Sequence, residues 1–458
     1  MPRTAPLDID TLAALGADKL ARLIADEAEG NPGFRKRVKA ALAGANGPDA
    51  VAKLIDRRLA ALEKARAMVA WEKERSFAAD LDATVASILK ELAPLSAGHA
   101  LDRLLRFIDT HANVFERIDD SSGRIQDVYW RACEAVPDLV SKVTVSERHR
   151  LPARLTKSLA ADTHGLAPRI AKEVVPHLPV ECLKGWDDAL AADDEHIEIR
   201  QAIADAMGDL DRYLDLEERR PEWRRNPLAA AERLLAGGRL EDALTWVRKE
   251  RKGGLAYASW EDMAEGRINR LHDLDKVRLE ARILEAMKDR PAAQNVRWAA
   301  FEQTLSAEIL RDYVAKLGDF EEFDELDRAF ALAAASPRPY STLALLLQWP
   351  RLDLAAKLVI DRRGEWEGRN YEILSEAAEM LEDESPLAAT ILYRALLDDI
   401  LDRKRSPAYG HGARHLARLG HLANHLPAKL PIDDHVAYVS SLKAAHGRKH
   451  GFWSLVKG

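Results

Sequence analysis

Only two cysteines, Cys133 and Cys182, occur among the 458 residues. A disulfide-stapled fold needs more, and thiolate zinc modules need CxxC or CxC spacing, so both classes are excluded and the two thiols read as small buried apolar groups. Long apolar runs are also scarce. No segment reaches the roughly eighteen uncharged residues of a membrane span, and the first twenty residues carry Asp8, Asp10 and Asp18 in place of a signal-peptide core. A cytoplasmic protein with no membrane partner is expected. Strand-like alternation of β-branched residues fails beyond a handful of positions, which argues against any sizeable sheet. The chain lacks a GxSxG elbow, a GxxxxGK(S/T) loop and a GxGxxG turn after a strand, so the commonest nucleophile, phosphate and dinucleotide motifs offer no handle and no cofactor is expected.

What is present is a chain 47% hydrophobic and 31% charged, ample for one long core or two to three domains. Its periodicity is helical almost throughout. Leu12, Leu15, Leu20, Leu23 and Ile24 open an amphipathic pattern, Phe34, Val38 and Leu42 continue it after the Asn31-Pro32-Gly33 turn, and Ile55, Leu59, Leu62 and Met68 give a third. A second block has helices near 81–92, 97–110 and 125–135, followed by shorter ones divided by Pro168, Pro176 and Pro179. Residues 119–123, Asp-Asp-Ser-Ser-Gly, precede one of these helices and read as an N-cap, with a cation or phosphate site as the alternative.

The charged stretch 216–227 is the best boundary in the chain. Beyond it, Ala230, Ala231 and Ala243 are small enough for two antiparallel helices to approach closely across the Gly237-Gly238 turn. Further pairs follow at irregular spacing: 277–287 with 295–305, 307–317 with 320–334, and 340–347 with 352–360. The last pair is 385–426, in which Ser385-Pro386 and Ser406-Pro407 each signal a helix start. Its first helix is apolar around most of its girth and must be sandwiched between neighbours. The predicted fold is all-α, a degenerate, tetratricopeptide-like helical-hairpin repeat solenoid. Its expected segments are 1–75, 76–215, the boundary 216–227 and 228–458.

The net charge of −7 hides an asymmetry. From residue 403 onward ten Lys and Arg face only Asp433 and Asp434, a balance of +8 that leaves −15 for the rest, and seven of the fourteen histidines lie there too. Arg403, Lys404, Arg405, Arg414, Arg418, Arg448, Lys449 and Trp453 are the candidate partner-binding residues, reading an acidic partner or nucleic acid. The alternative is an intramolecular match with the acidic region 187–218. Trp453, beside Phe452 and the basic run 448–450, either stacks on a base or plugs the end of the stack, where a repeat array needs cover. His411, His415, His421 and His425 form two HxxxH pairs, candidate metal ligands of a metal-dependent hydrolase, although no carboxylate sits on that helix and Arg414 and Arg418 lie among them. Trp246, Trp298 and Trp349 read as core anchors. Arg251-Lys252-Gly253-Gly254 reads as a helix C-cap, with anion contact as the alternative.

Four stretches, residues 12–43, 117–132, 346–359 and 385–419, together with the terminal HGRKHGFWSLVKG, resemble a mainly proteobacterial all-helical family of uncharacterised function, over nearly the full length. The terminal helical patterns are also similar to the helical region of SWIM zinc-finger proteins. The zinc ligands of that module are missing here, so zinc-finger nucleic-acid binding is not implied. The resemblance implies the helical fold and supplies no catalytic residue. The leading expectation is a non-enzymatic scaffold that binds a protein or peptide. The alternatives are a nucleic-acid-associated protein using the basic terminal region and, third, the hydrolase.

Overall fold

The structure is a computed structural model, which describes residues 8–191, 194–249, 273–318, 320–427 and 431–456. Among them every regular element is helical, apart from one isolated bridge between Val69 and Ile118. Helices packed as sequential hairpins dominate, so the protein is all-α. No helix among the described residues is long and apolar enough to cross a membrane. The basic turn 251–254 lies outside the described residues.

Helix starts recur in one chemical form, an oxygen-bearing cap followed by proline. Asn31, Asn226 and Ser385 each accept a bond from the backbone N–H three residues on, and Pro32, Pro227 and Pro386 follow them. The cap satisfies one orphan donor, and proline gives up an N–H that had no partner there. Asp120 does the same ahead of helix Arg124–Glu134, accepting from the backbone of Ile125 at 3.0 Å and Gln126 at 2.8 Å. Residues 119–123 are thus a cap, as their composition suggests.

Contacts divide the chain into two compact units, Met1–Pro221 and Glu222–Gly458. In the first, one apolar cluster runs from Ala40 to Ile203 and joins helices from both expected segments, 1–75 and 76–215. Helix Pro32–Gly44 packs on Glu74–Ala86 as well as on its sequence neighbour. Helix Glu74–Ala86 continues into a π-turn at Ser87–Leu92, which no periodicity announces. Near the end of this unit Arg200 is 1% exposed and paired through Nε with Asp187 at 2.8 Å.

The second unit is built pair by pair. Pro227–Ala236 packs on Leu240–Arg248, Asp273–Ala286 on Arg290–Thr304, and Pro339–Gln348 on Leu352–Asp361. Ala230, Ala231 and Ala243 are fully buried, which is the close helix approach their size permits. Trp246 and Trp298 are buried and Trp349 is half-buried against the apolar clusters. Helix Pro386–Asp402 is buried over most of its circumference, from Ala388 through Leu401. It lies among Leu352–Asp361, Tyr371–Leu381 and Tyr409–Leu422, the sandwich its apolar girth requires.

Candidate functional site at the C-terminal hairpins

Helix Tyr409–Leu422 carries the region of interest. Leu416, Leu419 and Leu422 bury one side against Pro386–Asp402. Gly412 faces Leu397 and Phe452 so closely that a β-carbon there would sit 3.2 Å from each. Another side bears Gly410, Ala413, Ala417 and Gly420, spaced three, four and three residues apart and therefore aligned along one face. Opposite this small-residue face stand helix His435–His446, which presents His435, Val439 and Lys443, and the terminal turns carrying Trp453, Leu455 and Val456. Between them lies an open groove of about 740 Å³. Its floor is apolar and its rim cationic, from Arg414 and Lys443. Neither rim charge is paired with a carboxylate among the described residues; Arg414 instead bonds the Nδ1 of His411 at 2.9 Å.

Trp453 closes one end of the groove. Its indole N–H donates to the carbonyl of His446 at 2.9 Å, its ring meets Phe452 edge to face at 5.0 Å, and the Lys443 ammonium lies 5.9 Å from it. Phe452 itself is fully buried in the cluster of Leu397, Leu416 and Leu419. The terminal aromatic pair therefore covers the end of the core, while Trp453 keeps a partly exposed face toward the groove.

The other basic candidates behave differently. Arg403 and Arg405 reach Asp399 at 3.6 and 3.5 Å on the wall of a second cavity of about 690 Å³, beside the Trp366–Arg369 turn. Arg418 donates to Glu382 at 2.9 Å, and Glu382 also accepts from the Tyr393 hydroxyl. These three charges are thus engaged by the chain's own carboxylates. Lys404, held at φ 54° in the left-handed region, is exposed, as is Arg448; Lys449 is half-buried. None of these three has an ion-pair partner among the described residues.

The four histidines do not converge. His421 and His425 lie tilted to one another with centroids 5.4 Å apart, His411 is tied to Arg414, and His415 lies against Tyr393 at 5.3 Å. Among the described residues no group of three or more His, Cys, Asp or Glu side chains is placed to hold a metal ion. The two HxxxH spacings put rings near one another in pairs, but the surrounding side chains claim His411 and His415 separately. The four histidines are thus not brought together as one ligand set.

His415 has a pH signature instead. Burial first, then the neighbouring His411 and Arg414, hold its imidazole down to about 4 from the ordinary value of 6.5. It is neutral in the folded protein at neutral pH. The unfolded chain takes up this proton first, so stability falls as pH drops from 6.5 toward 4 and levels off below that. His415→Gln is expected to flatten this stretch of the stability–pH profile read by denaturant unfolding, by an amount of order 3 kcal/mol at pH 4. An NMR titration of wild-type imidazole resonances checks the assignment; a His415 midpoint near 6.5 contradicts it.

Sequence reading missed Lys443, His435 and Val439 as groove residues. The small-residue spacing on helix Tyr409–Leu422 was the one available signal.

The model of a family of unknown function (DUF6880) matches residues 2–199 and 191–455. No curated protein matches the chain. Among solved structures, a "circular tandem repeat protein with novel repeat topology and enhanced subunit contact surfaces" is similar over 96% of this chain and 95% of that one, at 12% identity and a TM-score of 0.17.

Proposed function

The chain belongs to the DUF6880 family, whose function is unknown, and we propose that it is a non-enzymatic helical-repeat scaffold holding a protein or peptide partner in the groove beside helix Tyr409–Leu422. The observation that carries this reading is the groove's make-up: an apolar floor under a cationic rim left unpaired by any described carboxylate. Small residues at Gly410, Ala413, Ala417 and Gly420 admit a polypeptide backbone close to the helix. Arg414 and Lys443 favour an acidic segment. We propose in addition a cytoplasmic setting, on the lack of any membrane-spanning helix among the described residues, and a likeness to the helical region of SWIM proteins without a zinc module.

Nucleic acid is the competing ligand. Three of the basic candidates, Arg403, Arg405 and Arg418, are already within ion-pair distance of internal carboxylates, which lowers the charge left for phosphate. Fluorescence polarisation with a labelled acidic, aromatic peptide, single-stranded RNA and duplex DNA separates the two. Saturable peptide binding that is lost in Ala417→Arg is expected, with only a modest dependence on salt. A phosphate-bound tail would instead lose about a thousandfold or more in affinity between about 50 and 200 mM salt. Steeply salt-dependent binding of nucleic acid, with no peptide bound, sinks the scaffold reading.

A further inference from the structure

We propose that the groove's occupant is a second copy of this chain, docking through the segment that begins helix Glu321–Ala335. This rests on the reading above that the groove takes polypeptide. Phe320 is 86% exposed and Phe323 70% exposed. Two exposed phenylalanines three residues apart are apolar surface that the described part of the chain does not cover. Phe320 also holds φ 72°, in the left-handed region that a bulky side chain seldom adopts. Glu321, Glu322 and Asp324 surround the pair. A helix dipole accounts for acidic residues in a first turn, but it does not account for exposed aromatic rings among them.

The groove is the converse surface. It offers apolar floor to the rings, and it offers Arg414, Lys443 and the half-buried His435 to the carboxylates. Glu322 and Asp324 have no ion-pair partner among the described residues. Neither phenylalanine lines the groove within its own chain. A contact joining the two surfaces therefore runs between copies. Because donor and acceptor patches differ, two copies can dock reciprocally about a two-fold axis or add head-to-tail, and in either case the associated fraction rises with concentration. One helix turn in one groove is a small interface, so the association is weak.

Analytical ultracentrifugation of the full chain at low salt, up to about 1 mM, reads the outcome directly. The wild type is expected to rise above its protomer mass with concentration, and added salt should lower the associated fraction only modestly. The double variant Phe320→Ser/Phe323→Ser and the groove variant Ala417→Arg are each expected to stay at protomer mass. Mixed in equal amounts, they should form a species of twice that mass, since each retains the surface the other lacks. Ala417 is exposed, and Lys443→Glu serves as a second groove variant should Ala417→Arg fail to fold. A wild type that stays at protomer mass throughout, or a mixture that does not associate, overturns the proposal. If that monomeric wild type still binds acidic, aromatic peptides, the scaffold reading survives and only the self-docking falls; if it binds none, both fall.

Discussion

Gly368→Ala is expected to lower the thermal midpoint of the C-terminal unit by about 10 °C, from a cost of about 3 kcal/mol or more. A β-carbon at residue 368 would sit 2.2 Å from the carbonyl oxygen of Ala395 and 2.7 Å from the β-carbon of Asp399. Both neighbours belong to helix Pro386–Asp402, which is packed on most sides and has nowhere to retreat. The turn that carries Gly368 is pinned as well. The Trp366 indole donates to the carbonyl of Val359 at 3.0 Å, and the Tyr340 hydroxyl donates to the carbonyl of Glu365 at 3.1 Å while accepting from the N–H of Glu367 at 2.8 Å. Relief has to come from unpacking. Gly364→Ala is the control: nothing lies within 4 Å of its added carbon, and its backbone lies outside the left-handed region. Scanning calorimetry on both variants decides the matter. A Gly368→Ala midpoint within about 2 °C of wild type would show that the turn yields easily.

Asp187→Ala should destabilise the N-terminal unit by about 3–5 kcal/mol. Arg200 is 1% exposed, and its Nη1 and Nη2 have no hydrogen-bond partner among the described residues. Among the described residues its Nε bond to Asp187 is what compensates the buried guanidinium, and an arginine does not shed its proton to escape burial. Removing the carboxylate leaves that charge stranded. Burial works against ionisation of Asp187, but hydrogen bonds from Arg200 and Arg212 outweigh it and hold the carboxyl below its ordinary value. The pair's contribution is therefore complete above pH 4 and is lost as pH falls through the lowered value. Denaturant unfolding at neutral pH reads the loss. The double variant Asp187→Ala/Arg200→Met is expected to recover most of it, because an apolar side chain of similar length removes the stranded charge. A single variant as stable as wild type would mean that Arg200 needs no counter-charge.

The two positions differ in how they could be found. Nothing in the sequence distinguishes Gly368 from Gly364, four residues away, since the distinction is made by Ala395 and Asp399 on a later helix. Asp187 and Arg200 were visible only as part of an acidic stretch, 187–218, that also suited an intramolecular match with the basic tail. The structure puts Asp187 to another use, between two arginines of its own unit. The tail behaves similarly. Its charge was legible residue by residue, but Arg403, Arg405 and Arg418 face internal carboxylates while Arg414 faces a groove.

Secondary structure was the most legible level. Cap-proline starts at Asn31, Asn226 and Ser385, and the apolar girth of residues 386–402, are local properties of the chain, so they can be read locally. The same holds for the helical hairpins, whose spacing follows from turn residues and small-residue contacts. The π-turn at Ser87–Leu92 and the helix Tyr371–Leu381 left no comparable mark. Where the last helices lie is a different matter. The groove exists because helix His435–His446 stands off from the small-residue face of Tyr409–Leu422 and because Phe452 anchors the terminal turn in the core. Its rim is assembled from residues twenty to forty positions apart. The sequence by itself determined an all-helical chain of hairpins with its positive charge gathered at one end, because caps, periodicity and charge are carried by neighbouring residues. Tertiary packing alone decided which of those charges are spent on internal pairs, which histidines stay apart, and where an apolar groove is left open, because each depends on side chains brought together from separate helices.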